Sequence, residues 1–302
     1  MTIRTKLLLV LVLAVVALIV ILEIVSKRTI LAASLQAEDH VVRLNVQRAV
    51  DALAGELDSM DRIAVDWAAW DDTCEFMENR NEDYLRSNLL DDTYTELRLN
   101  VMLFFDPTGK LVFGRVRDPK TGRAAAPSPL VLHPLLFRGA LLQHGSPTNS
   151  ISGLLVLPDG PVMVVSRPIV SSDNKGPIRG TLVIGRSLNK DEMKRLSDRM
   201  HLWLKVSARE YSSGTDAPEL EASFHDVMGP VTVRPLSRHS VSGYVWLPDL
   251  FGRPSLELTM TTDRDVYSQG ILSVRYIALW IVVIGVIMMG VTVWGANRYV
   301  LS

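Results

Sequence analysis

The sequence predicts an α+β domain, a long N-terminal helix packed on an antiparallel sheet, flanked by two transmembrane helices. Three observations lead there. Two unbroken apolar runs stand near the ends: residues 7–22, carried past Glu23 by Ile24 and Val25, and residues 276–294, which hold no charge. Each approaches the ~20 residues a helix needs to cross about 30 Å of hydrocarbon. Between them, apolar residues recur first at heptad spacing and then in short runs bounded by turn residues. A mean hydropathy of +0.19 agrees with a chain that carries membrane segments.

The first run opens on Arg4 and Lys6, as a signal peptide does. It exceeds the ~7–15 apolar residues of such peptides, however, and no small-x-small cleavage site follows it. It is therefore read as an anchor. The second run carries Trp280 and Trp294 near its ends, where membrane–water interfaces favour tryptophan. The charge bias across the spans is weak, since Arg4, Lys6 and Arg298 are offset by Lys27, Arg28 and Arg275. The middle, 26–273, holds nearly all the acidic residues, and long domains translocate largely regardless of charge. Both termini are thus expected in the cytoplasm and the middle in the periplasm of a bacterium, with the chain in the inner membrane. The expected division is a cytoplasmic start at 1–6, a span at 7–25, and a periplasmic domain at 26–200 with a long helix over 33–71. A further β segment follows at 201–273, then a span at 274–295 and the start of a cytoplasmic linker at 296–302.

Val46, Val50, Leu53, Leu57, Met60, Ala64 and Trp67 alternate spacings of four and three, a heptad seam. Arg43, Arg48, Asp51, Glu56 and Asp58 fall on the other faces. The helix is expected to run on from the membrane without a break, ~40 residues and about 60 Å long. The seam admits two uses: pairing with a second subunit near the membrane, and packing on the chain's own sheet farther out. A homodimer through the 46–67 helix is the expectation, so charge at Leu53 or Leu57 should weaken dimerisation or lock signalling.

Beyond Trp70, Asp72 and Thr73 are N-cap candidates for a restarted helix, and a second helical stretch follows around 83–90. The period then changes. Residues 99–105, the turn Asp106-Pro107-Thr108-Gly109 and residues 111–116 read as a hairpin. A Pro/Ala/Gly loop spans 121–129, and 130–142 looks helical. Residues 151–157, a turn at Pro158-Asp159-Gly160-Pro161 and 162–170 form a second hairpin; 181–188 is another strand and 189–200 a polar helix. Five antiparallel strands with helices on one face make an α+β domain. Short strands continue from 202 to 262, with turns at 212–216 and 248–254, as a small subdomain or an extension of the sheet.

Composition removes several functions. A net charge of -1 offers no basic stripe for nucleic acid. Cys74 is the single cysteine, which excludes an intramolecular disulfide and a cysteine metal site. No G-x-S-x-G or H-E-x-x-H occurs, and the six histidines are scattered. No cofactor, catalytic residue or metal ligand is expected.

The densest chemistry lies in "DWAAWDDTCEF", residues 66–76. Trp67, Trp70 and Asp71 share a helix face, because positions three and four apart are neighbours. Four uses are open. Paired carboxylates could serve a glycosidase, whose two acids flank a sugar. Asp71, Asp72 and Glu75 could hold a metal, although the EF-hand spacing is absent. The tryptophans and carboxylates could form a small-molecule pocket for a cation or polyol. Or the tryptophans plug the helix onto the sheet while the aspartates cap the next helix.

D-W-x-x-W-D-D-T-x-x-F, the Tyr84/Asn88-Leu89 helix and Leu99-Asn100 leading a strand resemble the type-four CHASE domain. So do "SGLLVLPDGPVMVVSRPIV" and "GTLVIGRSLNKDEMKRLS". The resemblance covers roughly residues 58–197. It implies a Cache/PAS-like fold that senses a small ligand outside the membrane for histidine kinases and cyclic-di-GMP enzymes of the GGDEF and EAL types. By position, the ligand contacts it implies are Trp67, Trp70, Asp71, Asp72, Asn100, Arg167 and Arg186. Such receptors continue past their second span into an output domain, and this sequence stops shortly after Trp294. The expected function is the ligand-sensing input module of a dimeric receptor. The alternative is a two-span periplasmic adaptor that binds a partner protein.

Overall fold

The computed structural model describes residues 3–118, 121–127, 132, 139–157, 159–208 and 229–300, leaving out the side chains of 3–5, 7, 8, 125 and 296–300. The helix expected at 130–142 and the turn at 212–216 lie outside or largely outside these residues. The chain divides into two units. One comprises residues 1–44, 233–241 and 262–302, the other residues 45–232 and 242–261.

Helix α1, Ile3–Ala68, is a single helix of 66 residues. At 1.5 Å per residue it is about 100 Å long. Val46, Val50, Leu53, Leu57, Met60 and Ala64 are all buried within this one chain, so the heptad seam lies against the chain's own sheet. Arg43, Arg48, Asp51 and Asp58 are exposed as expected. Glu56 is not: it is buried, at 4% exposure. It stands three residues after Leu53 and four before Met60, on the flank of the seam, and the sheet supplies arginines to receive it.

The chain breaks at Trp70, which is extended, and restarts as α2, Asp71–Asn79. The N-cap is Trp70 rather than Asp72 or Thr73, so the helix begins two or three residues earlier than those caps would place it. Asp71 and Asp72 sit in its first turn, where the helix dipole favours negative charge. Thr73 points inward to the Tyr84 hydroxyl, 2.7 Å away. Helix α3, Glu82–Asn88, is capped by Asn81, whose side chain accepts from the Tyr84 N–H. A short α4, Asp91–Glu96, follows.

The larger sheet contains β1 (Val101–Phe105), β2 (Leu111–Arg117), β3 (Ala124–Ala125), β4 (Ile151–Leu157), β5 (Gly160–Ile169) and β6 (Gly180–Ser187), ordered β3-β2-β1-β6-β5-β4. Every neighbouring pair is antiparallel. The β1–β2 turn forms as its residues dictate. Asp106 Oδ1 accepts from the Thr108 and Lys110 N–H groups, and Gly109 takes φ 82°.

Side chains alternate faces along a strand. Arg167 and Arg186 reach acidic residues of α1, so Met163 and Val165, Leu182 and Ile184 share that face with them. The opposite face buries Val101, Leu103, Phe105, Val162, Val164 and Val183 in a second cluster with Leu141 and Phe251.

After α5, Lys190–Met200, a second sheet contains β7 (Trp203–Ala208), β8 (Thr232–Pro235), β9 (Ser240–Pro248) and β10 (Pro254–Asp263), ordered β7-β10-β9-β8. The β9–β10 turn is knotted around Asp249, whose carboxylate accepts from the N–H groups of Phe251 and Arg253 and from the Ser255 hydroxyl. The turn docks on β4 through Leu250 N–H to Leu154 O, 2.7 Å. Phe251 thereby joins the core of the larger sheet.

Helix α6, Asp265–Val300, has 36 residues. Both α1 and α6 are long and apolar enough to cross a membrane. In their shared unit they are joined by a buried ion pair. The Arg264 guanidinium donates to both oxygens of Glu38, with Nη2 at 2.7 Å, and lies over the Tyr267 ring, 4.0 Å from its centroid. Its Nη1 donates to Ser237 O.

Candidate ligand-binding site

The seven residues expected as ligand contacts occupy three settings. The first is the corner after α1. Trp67 and Trp70 meet edge to face with centroids 6.1 Å apart, and Trp70 continues into a chain of rings through Tyr84, Phe76, Phe104 and Phe113. Burial raises the Tyr84 hydroxyl to about 12, although the bond with Thr73 opposes that shift. Asp71 Oδ1 accepts from the Ser172 N–H at 3.0 Å, and Ala68 O accepts from the Val170 N–H. The backbone bond to Ser172 holds the Asp71 carboxyl below its ordinary value. Together they pin the end of α1 to the end of β5. Asp72 is exposed in the first turn of α2.

The second setting is Arg167 on β5. Its guanidinium pairs with Asp61 of α1, and its Nη1 donates to Thr148 O. Ser150 also donates to Asp61, at 2.5 Å. Burial alone would raise the Asp61 carboxyl, but the bonds from Arg167 and Ser150 outweigh it and leave it below its ordinary value.

The third setting is Arg186 on β6, with Asn100 beside it. Arg186 is 2% exposed; it donates to Glu56 at 2.7 Å and to the carbonyls of Arg98 and Leu97. Asn100 Oδ1 accepts from the Ser187 N–H. Glu56 also receives Arg98, Arg195 and Arg199, and Glu192 receives Arg98 and Arg195. Burial would raise the Glu56 carboxyl; the guanidinium groups, Arg195 foremost, reverse that and hold it low. Arg167 and Arg186 thus fasten α1 to the sheet, Asp71 holds the start of α2 to the segment after β5, and Asn100 ties the start of β1 to the end of β6.

The other face of the sheet holds a group the sequence reading passed over. Ser166 and Arg167 are consecutive on β5, so they face opposite ways. The fully buried Ser166 hydroxyl donates to Leu141 O at 2.5 Å and lies 3.2 Å from His144 Nε2. His144 Nδ1 is 3.1 Å from Asn149 Oδ1. Burial lowers the His144 pKa, with Asn149 opposing. Ser166 offers no reacting atom to solvent, so the Ser-His-Asn arrangement is structural. His144 also lines an open groove of about 820 Å³ beside the β1–β2 turn, with Asp106, Thr108, Gln143 and Thr181. The signal was present: Ser166 is a lone hydroxyl within the apolar run VMVVSRPIV.

The model of the CHASE4 domain family matches residues 52–207. The methanogenesis regulatory histidine kinase FilI of Methanothrix harundinacea (strain 6Ac) is 27% identical over 238 residues, which is 79% of this chain and 26% of FilI. The chain therefore spans about a quarter of that relative's length. Among solved structures, the extracellular domain of the histidine kinase vpHK1S-Z8 aligns at 12% identity with a TM-score of 0.49, over 79% of this chain and 95% of that one. A domain of a sensory box/GGDEF family protein from Vibrio parahaemolyticus gives 12% identity and the same TM-score of 0.49, over 78% and 99%.

Proposed function

We propose, from the premise that this chain belongs to the CHASE4 domain family, that it is the ligand-sensing input module of a two-span membrane receptor. Helices α1 and α6 cross the inner membrane and the sheets lie in the periplasm. The output is an autophosphorylating kinase, because FilI, aligned over 79% of the chain, is named a regulatory histidine kinase. A cyclic-di-GMP enzyme is the other output the sequence resemblance admits.

The observation that carries the reading is the pair Ser166–Arg167. Through Ser166, β5 touches the His144 side of the groove; through Arg167 it holds Asp61 of α1. A small polar molecule seated against His144, Gln143 and Thr181 displaces the 139–145 segment. That shift reaches α1 across one residue of β5, and α1 runs unbroken toward the membrane. A ligand acts this way only if it binds two arrangements with different affinity. We assign Arg167, Arg186, Asn100 and Asp71 to the coupling, with Trp67, Trp70 and Asp72 as the corner they hold.

We also place a homodimer contact on α1, nearer the membrane than the buried seam. Ala33, Ala37, Val41 and Leu44 follow spacings of four, four and three and are all exposed. That is the pattern of a two-helix seam.

The test joins the chain to a histidine-kinase output in membrane vesicles and compares autophosphorylation in wild type, His144→Phe and the Asp61→Met/Arg167→Met pair. The wild type responds to a small molecule. The first variant loses binding and response together, whereas the second binds without responding. Equal responses in all three sink the coupling route.

A further inference from the structure

Helices α1 and α6 touch at two levels. A Cβ at Gly270 would run into Ser34 Oγ and lie 2.7 Å from Ser34 Cβ; one at Gly285 would run into Ile19 Cδ1. The two contacts pair residues whose numbers rise on one helix as they fall on the other, so the helices are antiparallel. Between these levels they part, and a cleft of about 420 Å³ opens. Its apolar wall is formed by Ile271, Val274, Ala278 and Ile281, and its polar groups are Glu23, Ser26, Lys27, Tyr267 and Arg275.

The antiparallel pairing sets Lys27 level with residue 277, beside Arg275 and Tyr276. These positions mark the outer ends of the two apolar runs. Glu23 lies four residues deeper, one helical turn or about 6 Å. A carboxylate there carries a cost of up to roughly 2.5–3.5 kcal/mol at a bilayer centre, less toward the interface, and such residues are retained where they have a partner. Among the described residues, Glu23, Lys27 and Arg275 have no ion-pair or side-chain hydrogen-bond partner.

We propose that this cleft holds the headgroup of a glycerophospholipid bearing a primary amine. The phosphate sits on Lys27 and Arg275, the ethanolamine folds back so that its ammonium reaches Glu23, and an acyl chain descends past Ala278 and Ile281. The charges fit such a group: two cations at the headgroup level and one anion beside them. The proposal rests on reading both helices as membrane-spanning, the same premise as the proposed function.

The test uses the full chain, purified in mild detergent and stripped of lipid, with dioleoyl phosphatidylethanolamine, dioleoyl phosphatidylglycerol, soluble phosphoethanolamine and inorganic phosphate as probes. Native mass spectrometry reads the bound species. The expected result is one phosphatidylethanolamine per chain, retained at least tenfold more tightly than phosphatidylglycerol. Lys27→Ala/Arg275→Ala lowers retention of both lipids at least tenfold, and Glu23→Gln, which keeps the side-chain shape, removes the preference for the amine. Unchanged retention in these variants overturns the proposal, as does equal binding of the two lipids by the wild type. Equal binding of free phosphoethanolamine or phosphate also overturns it, since the site then takes a soluble anion. Alkaline carbonate extraction separates the two failures. A chain released into the soluble fraction refutes the membrane reading itself, and an integral chain that retains no lipid refutes only the cleft.

Discussion

Replacing Glu56 with Gln removes the carboxylate that faces Arg186 without changing the side chain's size. Arg186 is 2% exposed and then has neutral acceptors alone on this side, Arg98 O, Leu97 O and the new amide oxygen, with no carboxylate bonded to it. Removing one member of a buried pair strands the other's charge, at a cost of about 3–5 kcal/mol. For a unit of this size, each kcal/mol moves the thermal midpoint by roughly 2–4 °C. The expected fall is therefore about 6–20 °C, read by tryptophan fluorescence of the full chain in detergent at neutral pH. Glu56→Met/Arg186→Met recovers most of the loss, because apolar replacement of a buried pair is near neutral. The effect also depends on pH. The folded Glu56 carboxyl lies below its ordinary value of 4.5, so its contribution is present above that value and fades as pH falls through the folded one. Glu56→Gln therefore flattens the acid limb of the stability curve. A midpoint within 2 °C of wild type at neutral pH would refute the account of this cluster.

Gly180→Ala should destabilise by about 2–3 kcal/mol in urea unfolding, because the new Cβ meets the Phe105 carbonyl and lies 2.6 Å from Met77 Cε. Tyr84→Phe leaves the buried Thr73 hydroxyl without its partner and should cost about 1–2 kcal/mol by the same measurement. The His144 pKa is lowered in the fold, so its contribution to stability is present above about 6.5 and is lost as pH falls through the depressed value. Thermal midpoints of wild type should accordingly drop across that window, and His144→Phe should remove this limb. In membranes, Ala37→Cys should form a disulfide-linked dimer while Leu57→Cys, buried within its own chain, should not.

Local periodicity made the long helix and the hairpin strands legible. The β1–β2 turn was readable in detail, because Asp106 and Gly109 are the residue types that an Asx turn with a positive φ requires. The placing of β1 beside β6 was not, since pairing between strands far apart in sequence leaves no local period. Helix α4, DDTYTE, offers too few apolar positions to show a stripe. The tryptophan-aspartate box drew notice for its composition, and the structure gives it a place at the α1–β5 corner. Asp61 and Ser166 drew none, and Glu56 was read onto an outer face of the helix: each is an ordinary polar residue whose weight comes from a partner 106, 22 or 130 positions away.

The most direct test of the central claim is the thermal midpoint of the full chain in lipid nanodiscs, challenged with fractionated small-molecule extracts. A ligand at a hundredfold its Kd adds about 2.7 kcal/mol to the folded state. At roughly 2–4 °C per kcal/mol, that raises the wild-type midpoint by about 5–10 °C. The account predicts this rise for at least one fraction and its loss in His144→Phe. It is contradicted if no small-molecule fraction moves the midpoint while a protein fraction is retained in a stable complex, which would make the chain an adaptor. An equal rise in His144→Phe would contradict the placing of the site.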